Sequence, residues 1–223
     1  MAPRRYQMGR RTAAVDETRR RIVEASMALH AERGILATSW EDIARRADVA
    51  VATVYRHFPS LDALVPACGE EVRRVTQPPR PERAEALFSD ARSVAERVAR
   101  LVRELCAFYE RAARYLEAAR RDQNQVAALA GSVASLHADR ERLLRAVLRG
   151  ASPSQQTLRV LAGLTDFAVW RALVDRGVPA QAAVRIMRDV VLCWLEKGAN
   201  GQIRDATLST HMSRPRQAAR KET

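Results

Sequence analysis

Between Thr38 and Phe58 the chain reads TSWEDIARRADVAVATVYRHF, and the second half of that run gathers side chains suited to a polyanion. Thr53, Tyr55, Arg56 and His57 supply a hydroxyl, a phenol ring, a fixed positive charge and an imidazole. Such groups contact phosphate oxygens and base edges in the major groove of DNA. Ala50 and Ala52, just before them, are small enough to let a helix start approach a surface closely, and Val51 stands between them. No other chemistry has comparable support. His30, His57, His137 and His211 are scattered, and no paired carboxylates, glycine-rich phosphate loop or nucleophile elbow is present. The sequence therefore argues against an enzyme, and it calls for no cofactor and no metal.

Two short helices must position these groups. Ser39 stands where an N-cap hydroxyl accepts from the backbone, and Asp42 three residues on completes a capping box. Trp40, Ile43, Ala44 and Ala47 then fall on one face, which should be buried, leaving Arg45 and Arg46 in solvent. The turn is expected at Asp48-Val49, because Asp tolerates a left-handed backbone, with Val49 plugging the corner. A second helix runs from Ala50 and must stop by Ser60, since Pro59 disfavours helical geometry before it. A helix of about two turns is not stable alone, so its value lies in what it presents. Thr38–Phe58 is the pattern of a helix-turn-helix.

The wider segment, residues 17–65, is ETRRRIVEASMALHAERGILATSWEDIARRADVAVATVYRHFPSLDALV. It resembles the N-terminal DNA-binding domain of the tetracycline-repressor (TetR) family of transcriptional regulators. The shared features are Arg21-Ile22-Val23, Ala25 and Leu29, Glu32-Arg33-Gly34, Thr38-Ser39, Ile43-Ala44, Thr53-Val54-Tyr55 and His57-Phe58-Pro59-Ser60. The resemblance covers residues 16–76 and implies an all-α fold: a three-helix helix-turn-helix head, then a larger helical body for ligand binding and dimerisation. It implies DNA contacts at Ser39, Trp40, Ala50, Val51, Thr53, Tyr55, Arg56 and His57. Departures matter too. Asp48 replaces the family's usual Gly, Ala50 its Ser or Thr, and Ala52 its Gly or small residue; the turn is then slightly strained and the second helix lacks a hydroxyl cap. Leu61 stands where a Lys commonly reaches a phosphate, and His30 where a buried Phe is usual.

Composition agrees with an all-helical protein. Of 223 residues only 5% are aromatic, Gly and Pro number nine each, and no alternating apolar-polar run predicts a sheet. The formal charge of +12 is uneven: residues 1–21 carry +5, residues 201–223 carry +3, and the rest +4. A basic arm before the helix-turn-helix can lie on phosphates or in a minor groove, or can simply be a solvated tail. Cys68, Cys106 and Cys193 are widely spaced with no CxxC, which predicts reduced, buried thiols in a cytoplasmic protein. No apolar run is long enough for a membrane span, and no signal peptide is expected.

The expected layout is a basic disordered arm at 1–15, the head at 16–76, the body at 82–198 and a disordered basic tail at 199–223. The prolines of Gln77-Pro78-Pro79-Arg80-Pro81 break the chain after a fourth helix at 61–75. Body helices are predicted near 92–112, 114–121, 124–149, 154–176 and 180–197. By the resemblance the body holds a pocket for a small-molecule effector, with Leu105, Phe108, Tyr109, Tyr115, Leu136, His137, Asp166, Phe167 and Trp170 as candidate lining. Tyr109, His137 and Asp166 are the most telling, because polar groups on apolar faces need partners. The last two helices carry wide apolar stripes, including Leu161, Thr165, Val169, Met187, Val190, Val191 and Trp194. In the family such helices pair across a two-fold axis, so a homodimer on a palindromic operator is implied. Two other readings remain: a helical small-molecule binder whose head has degenerated, and a basic architectural DNA binder without an effector.

Overall fold

The computed structural model describes residues 5–202, with side chains described for residues 12–197. The described residues form α-helices joined by short connections: α1 (Arg5–Arg33), α2 (Trp40–Ala47), α3 (Val51–His57), α4 (Leu61–Thr76), α5 (Ala84–Leu87), α6 (Val94–Asp122), α7 (Ala128–Val147), α8 (Gln155–Leu164), α9 (Phe167–Asp175) and α10 (Ala180–Gln202). Among them there is no strand, and no helix is long and apolar enough to cross a membrane.

The head closes around Ile22, Leu29, Ile43, Ala44, Val54, Phe58 and Leu64, all nearly inaccessible. The body closes around Phe88, Leu101, Leu105, Leu143, Leu158, Leu161 and Met187. A third cluster, Ile35, Val65, Val126 and Leu129, lies where the two meet. At that junction Ile35 N donates to the buried Asp122 Oδ2 at 2.6 Å, tying the end of α6 to the α1–α2 connection. Gly34 makes the approach possible, for its φ of +96° is unfavourable for other residues and an added Cβ would lie 3.0 Å from Asp122 Oδ2. From the body, Arg111 Nε donates to Thr76 O at 2.8 Å and Nη2 to Gln77 O at 3.1 Å, capping the end of α4.

Several expectations change. Residues 5–15, expected as a disordered arm, are helical in α1; residues 1–4 and 203–223, including most of the expected basic tail, lie outside the described residues. α6 is one helix where two were expected, because Ala112-Ala113-Arg114 contains no residue that stops a helix. The single helix expected at 154–176 is broken between α8 and α9: Thr165 Oγ1 turns back to Leu161 O at 2.7 Å, and Asp166 caps α9 by accepting from Ala168 N at 2.8 Å. Cys68 and Cys106 are buried as expected, and burial pushes each thiol up to about 12, with Arg19 opposing that slightly at Cys68. Cys193 is exposed, because its position on α10 faces away from the body core.

Candidate nucleic-acid interface

α2 starts on the capping box: Asp42 N donates to Ser39 Oγ at 3.1 Å and Ser39 N to Asp42 Oδ2 at 3.4 Å. The Ser39 hydroxyl also donates to Asp42 Oδ2 at 2.9 Å, so its hydrogen serves the cap. This hydroxyl, then the Ser39 amide, hold the Asp42 carboxyl below its usual range despite some desolvation. Ile43, Ala44 and Ala47 are buried as expected, whereas Trp40 is only half-buried. α2 ends at Asp48 with φ 53° and ψ 56°, the left-handed turn that the sequence required, and Val49 N closes it onto Ala44 O at 3.0 Å. Arg21 Nη2 reaches Asp48 O at 3.4 Å, tying that corner to α1.

α3 lacks a side-chain cap, since Ala50 is extended and has no hydroxyl. What holds it is Val54, fully buried against the head, and Phe58 behind it, over whose ring the Arg19 guanidinium sits 4.9 Å from the centroid. Anchoring by Val54 turns the opposite side outward: Ala52, Tyr55 and Arg56 are exposed, Val51, Thr53 and His57 are half-buried, and Ala50 is exposed at the N-cap. Tyr55 is 45% exposed, and its ring lies 5.0 Å from that of Trp40, tilted by 35°. Trp40 therefore acts as a shelf that limits the rotamers of Tyr55. Arg45 and Arg46 are spent on Asp42 (3.0 Å) and Glu32 (2.9 Å) respectively. Arg56 pairs with no carboxylate among the described residues and comes within 3.5 Å of Thr53 Oγ1, so its charge is available outward. Of the eight residues named from the sequence, the structure joins Trp40 to Tyr55 and leaves Ala50, Tyr55 and Arg56 exposed, with Trp40, Val51, Thr53 and His57 half-buried and Ser39 engaged as a cap.

The sequence profile described as "Bacterial regulatory proteins, tetR family" matches residues 22–68, which contain this helix-turn-helix. The chain carries a tetR-family segment. Over 60 residues the chain is 45% identical to the HTH-type transcriptional repressor KstR of Mycolicibacterium smegmatis, a stretch that is 26% of this chain and 29% of the relative. The chain thus aligns with less than a third of that relative's length. Over most of the chain the likeness is one of fold. A TetR-like transcriptional regulator from Rhodococcus sp. RHA1 superposes with TM-score 0.60 at 21% identity, over 83% of this chain and 97% of that one. The TetR-like regulator LfrR of Mycobacterium smegmatis, solved in complex with proflavine, gives 0.52 at 20% identity over 82% and 96%.

Beyond the tetR-family segment, a cavity of about 260 Å³ opens between α6, α7 and the start of α9. Leu105, Phe108, Tyr109, Leu136, His137, Asp166 and Phe167 line it, as named from the sequence. Tyr115 instead lines a second cavity of about 100 Å³ at the head–body junction, and Trp170 is buried in the core beside Tyr109 and Phe167, lining neither. Tyr109 is buried, its hydroxyl donating to Thr165 O at 2.6 Å, and desolvation pushes it up to about 12. His137 sits at the rim, exposed, where desolvation and then the Arg140 charge lower its pKa. Arg120 and Arg140 also line the cavity and do not stand out in the sequence; on α6 and α7 their spacing reads as a solvated face, and only the fold sets the exposed Arg120 at the rim and the nearly buried Arg140 inside.

Of the residues expected between subunits, Leu161, Thr165, Met187 and Val191 are buried within this chain's own body. They cannot also form an outer face. Val169 (37% exposed) and Val190 (46%) do face outward, joined by Ile186 (40%), with Trp194 half-buried beside them.

Proposed function

We propose that this protein is a homodimeric transcriptional repressor that reads a palindromic DNA site through α3 and releases it when a small molecule enters the body cavity. The observation that carries the reading is the Tyr55–Arg56 face, held outward by Val54 and stacked on Trp40 next to the capped α2. Ala50, Val51, Thr53, Tyr55, Arg56 and His57 take the base edges and near phosphates, and Ser39 and Trp40 the flanking backbone. A protein of this function works in the cytoplasm, where the DNA is.

One head reads only a few base pairs. Two heads held about 34 Å apart read successive major-groove faces, which makes the site a palindrome. The outward apolar residues of α9 and α10, Val169, Ile186, Val190 and Trp194, support pairing of two copies there. The effector route is short: Pro78 and Pro79, immediately after α4, line the cavity together with Leu105 and Phe108 of α6, and α6 also supplies the Arg111 that caps α4. A ligand that fits better when these elements separate shifts the population toward a head spacing that no longer matches DNA, and needs a few kcal/mol of preference to do so. Leu61, half-buried, offers no phosphate contact, so the salt dependence should be shallower by about one log–log unit per subunit than with a Lys there.

Selection of bound duplexes from a random pool tests the reading. A palindromic motif whose binding Tyr55→Ala abolishes is expected; recovery of no enriched motif refutes it in favour of a ligand-binding or architectural protein.

A further inference from the structure

We infer that the body cavity takes a small monocarboxylate with an aromatic body, its carboxylate held by Arg140. The inference rests on the cavity being the effector site proposed above. Arg140 leaves α7 with a side chain only 13% exposed; its Nη1 donates to Asp166 Oδ2 at 2.8 Å, while its buried Nε has no partner. Asp166 makes no bond to that nitrogen. Its Oδ1 already accepts from Ala168 N at 2.8 Å as the cap of α9 and lies 3.4 Å from Arg120 Nη1.

The second carboxylate of the cavity is engaged elsewhere, and Gln123 and His137 complete the polar lining. Asp139, the second carboxylate in the lining, is held by Arg142 Nη2 at 2.6 Å, and that guanidinium also reaches Glu82 at 3.1 Å. The Tyr109 hydroxyl donates its proton to Thr165 O, and its oxygen faces the Arg140 guanidinium. Beside them the Arg140 Nε is a buried N–H on a cation with no partner, and such a group calls for an acceptor. A carboxylate answers it best, because the planar guanidinium matches its two oxygens and is a poorly hydrated cation suited to buried pairs.

The walls decide the rest of the molecule. Leu105, Phe108, Leu143 and Phe167 present hydrocarbon and ring faces, and about 260 Å³ is the room of roughly nine liquid waters, enough for one ring and a short acid chain. A neutral apolar ligand leaves the Arg140 nitrogen unpaired, and an organic cation meets Arg120 and Arg140 with both carboxylates already engaged.

A head-group series in the unaltered full-length protein is the test: calorimetric titration with 4-phenylbutyrate, 4-phenylbutan-1-ol and 4-phenylbutylamine. The acid is expected to bind at least tenfold tighter than the alcohol, with the amine weakest, and Arg140→Gln, its fold checked by circular dichroism, to weaken the acid at least tenfold. Equal or tighter binding of the alcohol or amine, or no binding of the acid, overturns the inference without reference to any variant. A folded Arg140→Gln protein that binds the acid unchanged overturns it also. Release of a selected DNA site is read separately. If the acid binds through Arg140 but leaves DNA bound, the ligand class stands and the effector reading falls. If the acid fails to bind and the amine or proflavine releases DNA, the effector reading stands and the ligand class falls.

Discussion

His30 shows how one residue can carry a measurable signature. Its ring is buried at the head–body junction, Nε2 has no hydrogen-bond partner, and desolvation, partly offset by Asp122, lowers its pKa from 6.5 to about 4. The folded protein thus resists protonation that the unfolded chain accepts. Above pH 6.5 both states are neutral and stability is unaffected; between 6.5 and 4 the unfolded state binds the extra proton and stability falls, by up to about 3 kcal/mol. His30→Phe removes that loss and the orphaned nitrogen, and its ring can settle toward the adjoining 100 Å³ cavity. Urea unfolding at pH 7.5 and pH 4.5 should show the gap between the two midpoints narrow in the variant, with stability at pH 7.5 raised by about 1 kcal/mol. At the same scale, the sequence reading of Tyr55 as an outward ring holds, but its contact with Trp40 does not follow from spacing: Trp40 falls on the apolar face of α2 by periodicity, yet it is half-buried and its ring lies against that of Tyr55. Trp40→Ala is expected to weaken DNA binding by freeing Tyr55, with thermal unfolding distinguishing that from loss of the fold.

At the scale of elements, the start of α2 and its turn were legible, because caps and left-handed residues are local chemistry. Ser39→Ala should cost about 1 kcal/mol by removing the hydroxyl that accepts from Asp42 N. Asp48→Gly should stabilise the protein by about 0.5 kcal/mol, since Asp holds φ at 53° where Gly is unstrained, less the extra entropy Gly loses on folding. Denaturant midpoints measure both. The junction was not legible. Asp122 looks in sequence like one more charge in the polar run at the end of α6, yet it is buried and holds Ile35 N across 87 positions. Asp122→Ala leaves that amide unpaired and should destabilise by about 2 kcal/mol while loosening the head against the body, seen as faster hydrogen exchange at Ile35.

The whole molecule is two cores joined at a third small cluster, with an apolar patch left outward on α9 and α10. If that patch pairs two copies, Val190→Asp places a charge in it, and sedimentation should report a monomer where the unaltered protein is a dimer. Affinity for a full palindrome should then drop toward that for a half-site. Residue by residue, the stripe read from the sequence mixed two surfaces: Leu161, Met187 and Val191 belong to the inner one, Val169 and Val190 to the outer. Hydropathy periodicity finds an apolar stripe but carries no information on which part of it the chain's own helices will cover.

The sequence by itself determined the helices of the head, the capping box, the left-handed Asp48 and the outward chemistry of α3, because each depends on interactions spanning a few residues. It also named seven residues that meet in the body cavity, yet it missed Arg120 and Arg140, whose guanidinium groups reach Asp166 from α6 and α7. Those contacts join residues 26 to 46 positions apart. Only the packing of whole helices sets which of their faces looks into a cavity, which meets solvent and which is left for a partner, and that packing is decided by the summed burial of many side chains rather than by any local pattern.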